Sequence, residues 1–399
     1  MNPLTLIGIC LATSLCSSLI IKKLNLPQVI GHILIGIIIG RSGMQLFDQG
    51  AITQFELLAQ LTLAFIGTLI GGELRWSRLK KFGKAIFLIT FFETVLSMSV
   101  VSTMIWLLTQ NIPLSLIMGA LASATAPGGT TTVIQEYRAR GQLTSTLFGV
   151  IGADDAAAII IFAFAFNISK SILNPDLSFT IWSVIQSGGY EILGSVIIGV
   201  LIGLVFISLV RFFRDDDAKQ IMMFAAIFLC CGIAITFHFS LILSTMILGI
   251  CIGNVHPHRS RRYFNQLSQW TPPLYIIFFI LIGARLQLNL LMSIGLIGIC
   301  YIVCRIIGKL SGAWIGGTIA NAPVKVTQNL GLCLLSQAGV ALGLAISAQQ
   351  ELSQLSPEGA KIGIIVINII TISTLFFQII GPILTKLGLD RAGEINKPI

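Results

Sequence analysis

The chain has 399 residues, of which 55% are hydrophobic and only 10% charged, against roughly 25% charged residues in soluble domains. That balance excludes a soluble enzyme or nucleic-acid-binding domain and describes an all-α polytopic membrane protein, one transmembrane unit over residues 1–399. The formal net charge of +9 is explained by topology, without an acidic partner.

Apolar runs predict about thirteen spans, at residues 3–21, 27–45, 56–74, 85–108, 113–134, 145–167, 188–212, 219–236, 239–254, 270–285, 289–310, 328–349 and 362–385. The first run lacks a basic leader and a clear small-residue cleavage site, and Lys22 and Lys23 follow it, so it reads as a retained helix with its inner end there. With the N-terminus outside, 19 of the 25 lysines and arginines fall on the inner side, four on the outer, and Arg305 and Lys309 inside a span. Cytoplasmic loops retain basic residues. The expected topology is therefore a multi-pass protein of the cell inner (plasma) membrane with a cytoplasmic C-terminus. All eight cysteines lie in apolar spans without metal-ligand spacing and read as packing residues.

Two spans are interrupted. The fifth contains Ala124-Thr125-Ala126-Pro127-Gly128-Gly129-Thr130-Thr131-Thr132, where proline removes a backbone donor and two glycines weaken the helix. The twelfth contains the softer Ser336-Gln337-Ala338-Gly339-Val340-Ala341-Leu342-Gly343. A proline kink alone would be unremarkable in a membrane helix, but unwound backbone beside four threonines must be buried in protein or line a cavity. Broken helices in both halves point to inverted repeats with a site at the midplane. Spans four to six then mirror eleven to thirteen. This divides the chain into a core bundle of residues 85–167 and 289–385 and a scaffold of 1–74 and 188–285.

The sixth span carries Asp154 and Asp155 in an otherwise apolar helix. An ionised group at that depth costs roughly 2.5 to 3.5 kcal/mol on insertion scales, so the pair is a site by default. Residues about 100° apart on a helix let one carboxylate face a fixed partner and the other a watery cavity. Lys309 is the natural partner. Arg305, four residues earlier, either reaches the interface or supports the site, and Glu93 is a packing carboxylate, a partner of Arg305, or an ion contact. His32 is read as a satisfied buried histidine, Glu56, Glu73 and Asp215 to Asp217 as solvated ends, and His256 to Arg259 as a loop without a metal site.

Leu26-Pro27-Gln28-Val29-Ile30-Gly31-His32, the broken Thr125-Ala126-Pro127, Gly152-Ala153-Asp154-Asp155 and Arg305-Ile306-Ile307-Gly308-Lys309 resemble the monovalent cation/proton antiporter superfamily, in its bacterial sodium/proton branch with a double aspartate. The resemblance implies a transporter and not an enzyme, two broken helices that cross, and a homodimer formed through the scaffold, with no resident cofactor. It places cation and proton binding on Asp155, an ion pair between Asp154 and Lys309, and hydroxyl or backbone contacts on Thr125, with Pro127 and Gln337 supporting the crossing. Ala126 and the uncharged stretch around Gln337 depart from many relatives, which bears on ion selectivity.

The expected activity is exchange of Na+ or Li+ for protons by alternating access. A K+/H+ antiporter, a sodium-coupled solute symporter, and a cation channel or sensor are the alternatives; no filter-like repeat favours a channel. If Lys309 releases a proton as its pair breaks, exchange is electrogenic; if it stays protonated, exchange is electroneutral. The readiness of a buried lysine to give up its proton favours the first.

Overall fold

The computed structural model describes residues 3–395 except 25, 41, 47–54, 75, 175–180, 214, 256, 286–294 and 338. Among the described residues every regular element is helical: α1 (Pro3–Lys23), α2 (Gln28–Ile39), α3 (Glu56–Glu73), α4 (Trp76–Thr109), α5 (Ile112–Ser123), α6 (Pro127–Glu136), α7 (Gln142–Leu173), α8 (Ile181–Val210), α9 (Asp216–Thr236), α10 (Leu241–Val255), α11 (Pro257–Arg285), α12 (Gly295–Ile319), α13 (Val324–Cys333), α14 (Gly339–Leu355) and α15 (Pro357–Arg391). Counting α5/α6 and α13/α14 as interrupted pairs gives thirteen passages. Among the described residues nine stretches are long and apolar enough to cross a bilayer, and α2, α3 and α10 supply shorter apolar helices.

The chain forms two compact units, Met1–Lys81 with Gly189–Leu286, and Phe82–Gly188 with Gln287–Ile399. In the first unit, α3 and α10 pack backbone to backbone. A side chain at Gly71 would collide with the Met246 carbonyl, and one at Gly249 with the Thr68 carbonyl, the close approach small residues allow in membrane helices. Phe65, Phe206, Ile227 and Leu248 fill the core beside them. His32 is buried here and pairs through Nδ1 with Ser14 Oγ at 2.9 Å. Asp215 caps α9, accepting from the Ala218 amide at 3.3 Å. The side chains of Glu56, Glu73, Asp216, His258 and Arg259, and all of His256, lie outside the described residues.

The second unit contains the helix, broken helix, helix series α4, α5/α6, α7 and its counterpart α12, α13/α14, α15. In each series the broken passage stands second of three. Several boundaries differ from expectation: α4 begins at Trp76 instead of 85, α11 at Pro257 instead of 270, and α15 runs Pro357–Arg391 instead of 362–385. α12, described from Gly295, runs to Ile319 and so passes the expected end at 310, which places Arg305 and Lys309 well inside the helix; residues 289–294 lie outside the described residues. The polar-looking run of Ser311, Gly312, Gly316 and Gly317 stays helical because its glycines are packing positions. Side chains at Gly308, Gly312 and Gly316 would approach Ser97 Cα, Glu93 Cα and the Leu88 carbonyl of α4 to 2.6, 2.5 and 2.6 Å. One face of α12 therefore lies directly on the α4 backbone.

Candidate functional site

The first interruption is a stop and a restart. α5 ends at Ser123, residues 124–126 run extended (Ala124 ψ 132°, Ala126 ψ 125°), and Pro127 opens α6, where its missing amide costs nothing. The second is longer: α13 ends at Cys333 and Leu334 to Gln337 are not helical, so it begins two residues earlier than the sequence suggests. Both helices end with carbonyls that lack intrahelical partners, and lipid cannot supply any.

The structure supplies partners by crossing the two breaks. Ala126 donates its amide to the Ser336 carbonyl at 2.9 Å. Thr125 Oγ1 donates to the Leu334 carbonyl at 3.3 Å and Thr130 Oγ1 to that of Cys333 at 3.0 Å. Gln337 Nε2 returns to the Leu121 carbonyl at 3.3 Å and also donates to Tyr301 Oη at 2.9 Å, while Ser373 donates to its Oε1 at 3.3 Å.

Arg305 completes the accounting. It is wholly buried, which rules out the interfacial reading, and its partners are carbonyls, not Glu93. Nε donates to Ala122 at 3.1 Å, Nη1 to Leu335 at 2.8 Å, and Nη2 to Ala124 at 2.8 Å and Ser336 at 3.5 Å. One guanidinium thus satisfies carbonyls from both breaks, a geometry that a planar five-donor fork allows. Its face lies 4.3 Å from the Phe377 ring centre.

Lys309 sits one turn along α12, also wholly buried. Its Nζ donates to Glu93 Oε2 at 2.5 Å, to Thr125 Oγ1 at 2.8 Å and to the Ser123 carbonyl, and lies 3.6 Å from Asp154 Oδ1. Asp154 thus comes within ion-pair distance of Lys309, with Glu93 as the nearer carboxylate. Sequence reasoning left Glu93 undecided and missed the Ser123 carbonyl. The spacing of Gly308, Gly312 and Gly316 was the available signal, since it brings the Lys309 helix onto the backbone around Glu93. Two cations at the C-terminal end of α5 also match the negative end of its dipole.

Asp154 and Asp155 lie ten and eleven residues after Thr144 in α7, both buried, with Asp155 4% exposed. Asp154 Oδ1 and Oδ2 and Glu93 Oε1 make no hydrogen bond. Acceptor-only oxygens of this kind at bilayer depth suit a proton or a cation without its water. Of the residues singled out by sequence, Thr125, Asp154, Lys309 and Glu93 come together around one ammonium, and Arg305, Pro127 and Gln337 hold the crossing beside them. The Thr125 hydroxyl is engaged by Lys309 and Leu334.

A sequence profile described as "Sodium/hydrogen exchanger, transmembrane" matches residues 10–387. The chain belongs to that family. It is a member of the monovalent cation/proton antiporter superfamily, among membrane transporters and not enzymes. Relatives include the Na+/H+ antiporter NhaG of Bacillus atrophaeus, 27% identical over 54% of this chain and 43% of that protein. Another is the Na+/H+ antiporter NhaH of Halobacillus aidingensis, 22% identical over 61% and 62%. The Cation/H+ antiporter 19 of Arabidopsis thaliana is 29% identical over 46% of this chain and 24% of its own. The matched region thus spans between a quarter and three fifths of these relatives. The fold is shared with the sodium proton antiporter MjNhaP1 of Methanocaldococcus jannaschii at pH 8, with a TM-score of 0.70 at 18% identity over 98% of this chain and 95% of that one. An electron-microscopy structure of MjNhaP1 gives 0.75 at 18% identity, covering 98% of each.

Proposed function

We propose that this exchanger-family chain moves a monovalent cation, sodium or lithium by preference, against protons, with Asp155 as the carboxylate that alternates between them. The observation that carries the proposal is the division of labour in α7. Asp154 lies 3.6 Å from the Lys309 ammonium, and the proposal gives the charge that changes with each cycle to the next residue of that buried stretch, Asp155. A cation binds after the proton leaves, and competition for one carboxylate couples the two fluxes. Carboxylate, hydroxyl and carbonyl oxygens are hard ligands, which favours small alkali cations while admitting potassium.

The second unit acts as the core that carries the site to each face of the membrane in turn, and the first unit is the scaffold and the homodimer interface. The N-terminus is outside and the C-terminus cytoplasmic, in the plasma membrane, because basic residues concentrate on one side. Lys309 stays charged throughout. Four acceptors surround its ammonium, and neutralising it would leave buried acceptors without a donor. This weighs toward one proton per cation, against the electrogenic alternative that burial alone favours.

The test is a proteoliposome assay with an internal pH indicator, challenged with sodium, lithium and potassium in turn. Sodium- or lithium-driven proton movement that disappears in Asp155→Asn is expected. Undiminished exchange in that variant, or uptake of an organic solute with little proton movement, would overturn the assignment.

A further inference from the structure

The helix bearing the two aspartates starts without a cap of its own: Gly141 precedes it and offers no side-chain acceptor. Its first amides are nevertheless satisfied, by a residue some 250 positions downstream. Glu394 Oε1 accepts from the Leu143 amide at 2.7 Å, and Oε2 accepts from the Thr144 amide at 2.8 Å and from Thr144 Oγ1 at 2.7 Å. The Glu394 carbonyl accepts from the Arg140 amide at 3.1 Å. Glu394 is buried. A carboxylate here also meets the positive end of the α7 dipole.

The end of α15 delivers it. Gly393 has φ +70°, and the Gly393 and Glu394 amides donate to the Asp390 and Leu389 carbonyls at 2.9 and 3.0 Å. This left-handed termination turns the chain back and favours glycine. On the other side of the contact, a side chain at Gly141 would fall inside the Glu394 carboxylate. α15 in turn supports the crossing through Phe377 on Arg305 and Ser373 on Gln337. At the far end of α7, Lys170 pairs with Glu351 of α14, but those side chains are 25% and 47% exposed and screened by solvent.

We infer that Glu394 is a positioning residue for the carboxylate pair. It locks α7 axially to α15, so that Asp154 and Asp155, roughly 15 Å along a rigid helix from Thr144, are held in register with the crossing that α15 supports. This rests on the reading of those aspartates as the cation site.

The full chain is compared with Glu394→Ala, Glu394→Gln and Thr144→Val, by amide hydrogen exchange and by the sodium dependence of exchange in proteoliposomes. Glu394→Ala should speed exchange at the Leu143 and Thr144 amides at least about tenfold. It should also raise the sodium KM about three- to thirtyfold, the ratio that loss of a helix cap produces, with a smaller change in maximal rate. Glu394→Gln, which keeps one acceptor, should fall between. Loosened amides with unchanged sodium KM would reduce Glu394 to a local cap and overturn the inference, as would amides that do not loosen. If Glu394→Ala does not fold, Glu394→Gln and Thr144→Val carry the same comparison. A wild-type protein without cation-driven proton movement would instead fail the functional reading, and the role of Glu394 with it.

Discussion

A double-mutant cycle on Glu93 and Lys309 tests the charge balance of the site most directly. The ammonium lies 2.5 Å from Glu93 and 3.6 Å from Asp154. At an effective dielectric near 20 these distances correspond to gross attractions of about 6–7 and about 4–5 kcal/mol. Glu93→Gln removes the larger attraction along with one buried charge and leaves Asp154 to hold the lysine. A net loss of about 1–3 kcal/mol is expected, below the ~3–5 kcal/mol that follows when a buried pair loses its only partner. Lys309→Met removes both attractions and leaves two carboxylates uncompensated, so it should cost the full ~3–5 kcal/mol. The loss should shrink as pH falls and protonation neutralises those acids. Adding Glu93→Gln to Lys309→Met relieves one of the two stranded charges, so the double variant should be more stable than Lys309→Met alone. Thermal unfolding in detergent at one fixed scan rate would report the order wild type, Glu93→Gln, double variant, Lys309→Met from highest to lowest Tm. A double variant whose Tm loss equals the sum of the single losses would refute the pairing.

Four further outcomes follow from the geometry. Because protons and cation compete for one carboxylate, the apparent sodium KM should rise about tenfold for each pH unit of acidification below the point where Asp155 is half protonated, measured as initial rates; a pH-independent KM would argue against a shared site. With Lys309 permanently charged, an imposed membrane potential should change neither the rate nor the endpoint of sodium/proton exchange, and a potential-dependent endpoint would show that the lysine also releases a proton. Arg305→Met strands the Ala122, Ala124 and Leu335 carbonyls, each worth about 1–3 kcal/mol when buried without a donor, so little folded protein should be recovered, and Arg305→Lys should rescue it only in part. Gly312→Ala forces a methyl group against the Glu93 backbone, where overpacking costs about 1–3 kcal/mol, and should lower both Tm and transport more than Gly343→Ala, which meets no neighbouring atom.

Much of this arrangement was legible in the residues because the bilayer narrows the choices. A run of apolar residues reads as a helix there, and an ionised side chain must have a partner, so Lys309 pointed to the aspartate pair, and the family resemblance to Asp154 in particular. Thr125 to Pro127 also announced their break, since proline ends one helix and begins another. The partnership of Glu93 was less visible. It depends on which face of α12 meets α4, and that is decided by three glycines whose only property is the absence of a side chain. Arg305 resisted reading for a related reason. Its partners are backbone carbonyls, which every residue carries and no sequence pattern marks. Glu394 lay beyond reach because a local turn at Gly393 and a missing cap at Gly141 become one feature only when the ends of α15 and α7 are side by side.

Arg305 and Lys309, four residues apart on one helix, divide between them the two demands of a broken membrane helix. Unwound backbone presents carbonyls that lipid cannot satisfy, and Arg305 meets four of them from the two breaks with a side chain that cannot lose its proton. Lys309 adds the Ser123 carbonyl and the Thr125 hydroxyl and spends the rest of its charge on Glu93 and Asp154. Counted together, Lys309 and Arg305 balance Glu93 and Asp154 in charge. In the exchange proposed above, Asp155 then carries the net negative charge of the cluster, which either a cation or a proton beside it offsets. In the proposed cycle such a site carries one or the other whenever it is shut away from water, which is the condition for tight exchange without leak.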